Sequence, residues 1–360
     1  MKRVLYFLLI TVFAFNIGCE NTVNLKAPYE IIPVVYSLLD QNDSYHYVKV
    51  AKLFNGDLDA NEMAQVADSS YVDIKEIKVE ELREGVVLNT YFLQDTVLSE
   101  KDPGIFFGPD QILYYFYEPF LNSKSEYRLT VDVGNGKPAV ATTSLIEDSN
   151  PFSHFTWSRF AGGVSLISNQ SFNQLQVKLV PAKNTRQTAV NMYFTYCNQL
   201  SNGDSYSDTI KFDLGSELVD NPDSPKELDF TLEEGLFYKT VSENVPDEIE
   251  TAGLNYRSAG QIFFEVVNAG EDFFTYMEVN SPTNAVFQKK PPYTNFENGL
   301  GVFSARTKFY SHEIIGGGVG FALTGQSEKE LAQGTSYDSS YGIAGTGGKG
   351  FQEGKPINCF

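Results

Sequence analysis

Tryptophan is nearly missing from this chain: Trp157 is the one copy, against 28 Phe and 21 Tyr. Cysteine is almost as scarce, with Cys19, Cys197 and Cys359, and so is histidine, with His46, His154 and His312. So few cysteines exclude a disulfide-dense scaffold, and 360 residues supply a core that needs no such staple. The histidines stand in no metal-type spacing with cysteine or with one another, so no zinc site is predicted. Basic residues are also short: 27 Lys and Arg face 46 Asp and Glu, a net charge of −19. A protein that tracks phosphates needs a basic surplus to displace counterions, so nucleic acid is excluded as a partner. The same deficit excludes docking on an anionic lipid surface through a basic patch. No G-x-S-x-G or S-x-x-K marks a serine nucleophile, and no carboxylate pair stands out for glycoside hydrolysis. No catalytic residue, metal or cofactor is therefore assigned, and the protein is read as a non-enzyme. The rival classes are a surface enzyme acting on glycans or peptides and a purely structural surface protein.

What is present begins at the amino terminus. Lys2 and Arg3 precede the apolar run Val4–Phe15, which falls short of the roughly 20 residues of a membrane-spanning helix. This is the pattern of a secretory signal peptide over residues 1–18. It closes on Gly18-Cys19, which resembles a bacterial lipobox, although Asn16 stands where Leu is usual. The resemblance implies that Cys19 is lipidated. More than one acyl chain would hold the protein on a membrane durably, whereas one chain alone is marginal. Loss of residues 1–18 removes two cations and no acid, taking the charge from −19 to −21. Glu20–Pro28 reads as a tether that holds the acidic body off the lipid.

Beyond the tether the hydrophobic period is two. Tyr127, Leu129, Val131 and Val133 face one way, while Arg128, Thr130 and Asp132 face the other, the mark of a half-buried strand. Gly134-Asn135-Gly136 turns that strand into Ala139–Ile146 as a hairpin. Tyr45–Leu53 and the Ile77 region alternate similarly. Strands resume after the turn-rich Glu147–Pro151, with Leu175–Leu179 and a long hairpin joining Met192–Tyr196 to Ile210–Leu214. One helix is predicted, Gly270–Val279, with Phe273, Tyr276 and Met277 as its apolar stripe. The fold class is mainly β: an immunoglobulin- or fibronectin-like antiparallel sandwich over 29–148, a second β-rich domain over 151–333, and a loosely ordered glycine-rich tail over 334–360. The aromatic run Ile112–Tyr117 reads as cross-strand packing or, alternatively, as a platform for sugar rings. The acidic clusters Asp40–Asp43 and Asp57–Asp59 lack calcium-loop spacing. Gly345–Gly350 matches G-x-G-x-x-G, but no βαβ unit can follow it.

Asn295-Phe296-Glu297-Asn298-Gly299-Leu300-Gly301-Val302-Phe303 resembles the N-x-x-N-G-L-G-x-F stretch of an uncharacterised family of Bacteroidota outer-membrane lipoproteins. Ile32–Asp40 fits the same family in character. The resemblance implies a lipid-anchored place on the outer membrane, with the periplasmic or cell-surface side open. It also implies a binding or accessory role beside a TonB-dependent receptor or uptake system, with a small-molecule or glycan ligand unassigned. It names no activity. In the motif, Asn295, Asn298, Gly299, Leu300, Gly301 and Phe303 read as architecture. Asp95-Thr96-Val97 and Asp208-Thr209-Ile210 resemble the D-[ST]-apolar acceptor for O-glycosylation of exported proteins in that phylum, making Thr96 and Thr209 candidate sites. With Cys19 acylated, Cys197 and Cys359 are left either as a disulfide or as two free thiols.

Overall fold

The computed structural model of the chain describes residues 30–53, 60–99, 104, 107–108, 110–147, 162–281, 293–311, 320–334, 346, 349–355 and 359. Within them the chain is mainly β. The strands are β1 (Pro33–Leu39), β2 (Tyr45–Lys52), β3 (Glu76–Arg83), β4 (Val86–Phe92), β5 (Gln94–Leu98), β6 (Gln111–Tyr117), β7 (Glu126–Asp132), β8 (Ala139–Ser144), β9 (Ile167–Ser168), β10 (Ser171–Phe172), β11 (Leu175–Leu179), β12 (Gln187–Leu200), β13 (Ser205–Leu218), β14 (Leu228–Leu232), β15 (Leu254–Ala269) and β16 (Leu300–Tyr310). The helices are short: α1 (Ala60–Ala64), α2 (Ala67–Ser70), α3 (Leu236–Asn244), α4 (Glu271–Asn280) and α5 (Gly325–Gln333). Among the described residues, no helix is long and apolar enough to cross a membrane.

Eight strands form the main sheet, in the order β13-β12-β15-β16-β1-β2-β6-β5. Every pairing in it is antiparallel except β1 with β16, which run parallel from Val34 beside Leu300 to Leu39 beside Ala305. A second sheet runs β4-β3-β7-β8, and β11 pairs with β14. Period-two patterning explains the faces, since alternate side chains leave a strand on opposite sides. Val35 and Leu39 of β1, Val48 and Val50 of β2 and Phe116 of β6 are buried on one face. Tyr91 of β4 stacks on Phe116 at 5.0 Å, so the four-stranded sheet lies over this part of that face. Farther along the same face, Met192, Phe194, Ile262, Phe264, Val266 and Phe309 form a core with Val177, Leu179, Phe230 and α3, through Phe237, Tyr238 and Val241. On the other face of the eight-stranded sheet, among the described residues, lie α4 and, beside β2, the end of α2 with Tyr71 and Phe107.

Ile32–Phe360 forms one compact unit; Met1–Ile31 is a separate unit that falls almost wholly outside the described residues. The expected division at Glu147–Pro151 therefore does not part the β structure: β1, from the first segment, is hydrogen bonded to β16, from the second. The seam between the segments is the glycine-rich motif. Gly301 has φ +110°, and a Cβ there would sit 1.9 Å from the Val35 carbonyl oxygen. Only glycine lets the two backbones approach so closely. The described parts of the expected loose tail also pack. Phe351 is buried and bridges to Arg257, whose own side chain is fully buried. The Arg257 guanidinium donates to Asn198 Oδ1 (2.7 Å), Thr251 Oγ1 (2.8 Å), Pro246 O (2.9 Å) and the Lys349 carbonyl.

Candidate functional site

The open face of the main sheet carries the features that invite a ligand. Helix α4 lies along β16: the Gly270 amide donates to Ala305 O (2.9 Å) and the Phe273 amide to Ser304 Oγ (3.1 Å). Acidic Glu271 and Asp272 occupy its first turn, where they favour the helix dipole. The helix divides the face in two. The predicted stripe splits accordingly, with Tyr276 turned to one side and Phe273 and Met277 to the other; all three are half-buried.

On the Tyr276 side is a cleft of about 620 Å³. Its aromatic lining is Tyr36, Tyr71, Phe107 and Tyr276, joined by Val34, Ala51 and Ile112. Tyr36 meets Tyr276 edge-to-face at 5.8 Å, and Tyr71 meets Phe107 in the same way at 6.0 Å. Burial pushes the Tyr36 hydroxyl well above its ordinary pKa, and its hydrogen bond with Tyr276 adds to the shift. The polar groups here are few: Lys49 Nζ donates to Gln111 Oε1 at 3.1 Å, and Lys52 and Ser70 complete the lining. A concave apolar site with a small number of polar groups is the usual form of a small-ligand pocket.

The cleft continues into a ladder of tyrosines on the same face. Register pairs Tyr45 with Tyr117 and Tyr47 with Tyr115, while Tyr36 sits opposite Lys49. Ring centroids lie 5.0 Å apart for Tyr45–Tyr117, 5.9 Å for Tyr45–Tyr115 and 6.1 Å for Tyr47–Tyr115. Tyr45, Tyr47 and Tyr117 are 50%, 44% and 58% exposed, so these rings are surface rather than core. The Tyr115 hydroxyl donates to Gln94 Oε1 at 3.3 Å.

Across α4 the face is polar. A basin of about 430 Å³ is lined by Asn191, Lys211, Asp213 and Arg306 together with Phe273 and Met277. Beside it the buried Glu265 carboxylate accepts from Asn191 Nδ2 (2.8 Å), Tyr310 OH (2.8 Å) and Tyr193 OH (2.9 Å). Burial raises its pKa, but these three donors outweigh burial and hold the carboxyl below its ordinary value. Tyr193 in turn stacks on Phe263 at 5.0 Å. Glu265 escapes a sequence reading because its donors come from two other strands, β12 and β16, far from it along the chain.

Cys19 lies outside the described residues, as do Trp157, His154, His312, the Asp57–Asp59 cluster and half of Gly345–Gly350. Cys197 and Cys359 form a disulfide with Cα atoms 5.7 Å apart. Thr209 is exposed on β13 and Thr96 is half-buried on β5, and these are the two edge strands of the main sheet. In the motif, Asn295 Nδ2 donates to Phe303 O (2.7 Å) while its Oδ1 accepts from the Phe303 amide (3.0 Å). Asn298 adopts φ +56° and donates to Pro138 O (3.3 Å), and a Cβ at Gly299 would meet Ala139 Cβ at 2.8 Å. The motif therefore fastens β16 to β8 and β1 and takes no part in the cleft. Among the described residues no group of three or more His, Cys, Asp or Glu is placed to hold a metal ion. The chain matches no protein-family model, and no curated protein matches it.

Proposed function

We infer that this is a lipid-anchored protein of the outer membrane that acts by binding, through the aromatic cleft on the open face of its main sheet. The observation that carries the reading is the cleft itself: four aromatic rings and a hydrogen-bonded Lys49–Gln111 pair around about 620 Å³, a volume in the range of small-ligand pockets. The signal-like amino terminus and the lipobox-like Gly18-Cys19 support the address, and the resemblance of Asn295–Phe303 to Bacteroidota lipoproteins supports an accessory role beside a TonB-dependent receptor. A disulfide between Cys197 and Cys359 fits an oxidising compartment outside the cytoplasm.

The test uses full-length protein extracted in mild detergent and dialysed below its micelle concentration. Anilinonaphthalene sulfonate should bind with saturable fluorescence. Ala51→Trp, which fills the cleft, should abolish that binding without lowering the melting temperature by more than a few degrees. Saturable binding unchanged in Ala51→Trp would remove the cleft from the reading. In a separate detergent phase-separation assay, carried out before dialysis, Cys19→Ser should move the protein from the detergent phase to the aqueous phase.

A further inference from the structure

We propose that the open face binds a neutral glycan chain, with sugar rings lying on the tyrosine ladder and one end of the chain entering the cleft. The proposal rests on the binding reading above and names its ligand class. The ladder is contiguous: Tyr45, Tyr47, Tyr115 and Tyr117 are paired in register on adjacent strands, and they lead to Lys49 and Tyr36 at the cleft. A scattered exposed aromatic needs no explanation, but a row of them on a soluble surface marks a contact site.

The shape of the row selects a chain. From Tyr45 to Ala51 along β2 the strip is about 20 Å long at the rise of an extended strand, and it is two strands wide. Its chemistry selects a sugar. Each ring has an apolar face with a hydroxyl at its edge, and the neighbouring polar groups are the amides of Gln94 and Gln111 and the Lys49 ammonium. A pyranose matches this pattern, since its C–H face stacks on a ring while its hydroxyls meet phenols and amides at the rim. An acyl chain would cover the exposed phenols of Tyr45, Tyr47 and Tyr117 without hydrogen bonding to their hydroxyls, at a cost for each one buried. Charge selects a neutral sugar. The chain carries −19, and among the described residues no arginine lines the cleft or the ladder to pair with carboxylates or sulfates. Polyanionic chains would meet a repulsive field.

The experiment places full-length detergent-solubilised protein on a printed array of neutral and acidic oligosaccharides. Affinities for the bound glycans are then measured by native electrophoresis in gels containing them. The expected result is retention on neutral oligosaccharides and none on acidic ones. Tyr45→Ala and Tyr117→Ala should each weaken the interaction about tenfold, the scale set by loss of one aromatic contact. Tyr45→Phe, which keeps the ring and cannot disturb the strand, should retain most of the affinity. Failure of every neutral glycan to bind, preference for acidic glycans, or full affinity in both alanine variants would each overturn the proposal. If the dye still binds wild-type protein and is lost in Ala51→Trp while no neutral glycan binds, the cleft remains a binding site and only its glycan assignment falls.

Discussion

Asp40 is a carboxylate spent on architecture. It is buried at the end of β1, where Oδ1 accepts from the Asn42 amide and Oδ2 from the Lys308 amide, both at 3.1 Å. Burial raises its pKa to about 6. Asp43 pushes in the same direction, and the amides of Asn42 and Lys308 and the Arg306 cation oppose it. An acid whose folded pKa exceeds its unfolded one favours the protonated form in the fold, so its contribution to stability falls as pH rises from about 4 to about 6. His46 has the opposite sign. Its burial lowers the imidazole pKa, so its contribution is present above the unfolded value of about 6.5 and is lost as pH falls below it. Subtracting the variant Asp40→Asn from the wild type isolates the carboxyl. Urea unfolding across pH 4 to 7 should show the wild type losing about 2 kcal/mol relative to Asp40→Asn, and parallel curves would refute the assignment. The sequence presents Asp40 only as part of an acidic cluster, because the amide it caps belongs to a strand far along the chain. Gly301 is legible as a glycine that must be one, but its constraint, the Val35 carbonyl, is not.

At the level of elements, alternation made most strands readable. The Tyr127–Val133 strand, the hairpin into Ala139–Ser144 and the long β12–β13 hairpin all occur with the predicted faces. Sheet order was hidden, since period two tells which side of a strand is buried and says nothing of its neighbour. For the same reason the run Ile112–Tyr117 was readable as a strand, whereas the partner that completes its tyrosine ladder, β2, was not. Helices α3 and α5 went unpredicted. For α5 the stop signals exist: Thr324 accepts from the Ser327 amide as N-cap, and Gly334 follows in the left-handed region at φ 56°. Its apolar stripe is too thin to announce a helix of nine residues. Helix α3 begins after Gly235 with no side-chain cap, so nothing local marks its start. The motif before β16 works as a clamp, since the Asn295 amide imitates one more rung of sheet against Phe303. Asn295→Ala deletes both bonds and leaves a backbone amide and carbonyl to find water. It should cost about 2 kcal/mol in thermal unfolding and leave dye binding in the cleft intact. A loss below a few tenths would show that the clamp is dispensable.

Across the whole molecule, the Cys197–Cys359 bridge spans 162 residues, and closing so long a loop removes much freedom from the unfolded chain. Reduction, or Cys359→Ser, should lower the unfolding free energy by about 4 kcal/mol, read as a shift in urea midpoint with and without reductant. An unchanged midpoint would mean that Arg257, through Pro246 and Lys349, holds the end of the chain unaided. The parallel pairing of β1 with β16 governs the order in which the protein can come into being. A chain leaving a ribosome or a translocation pore presents β1 first, yet the strand that shields its free side arrives only after Leu300. Until then β1 offers an open row of amides and carbonyls to any extended chain nearby. Completion of the main sheet is therefore a late event, set by delivery of the final strand rather than by local nucleation. Every product truncated before that strand keeps an adhesive border.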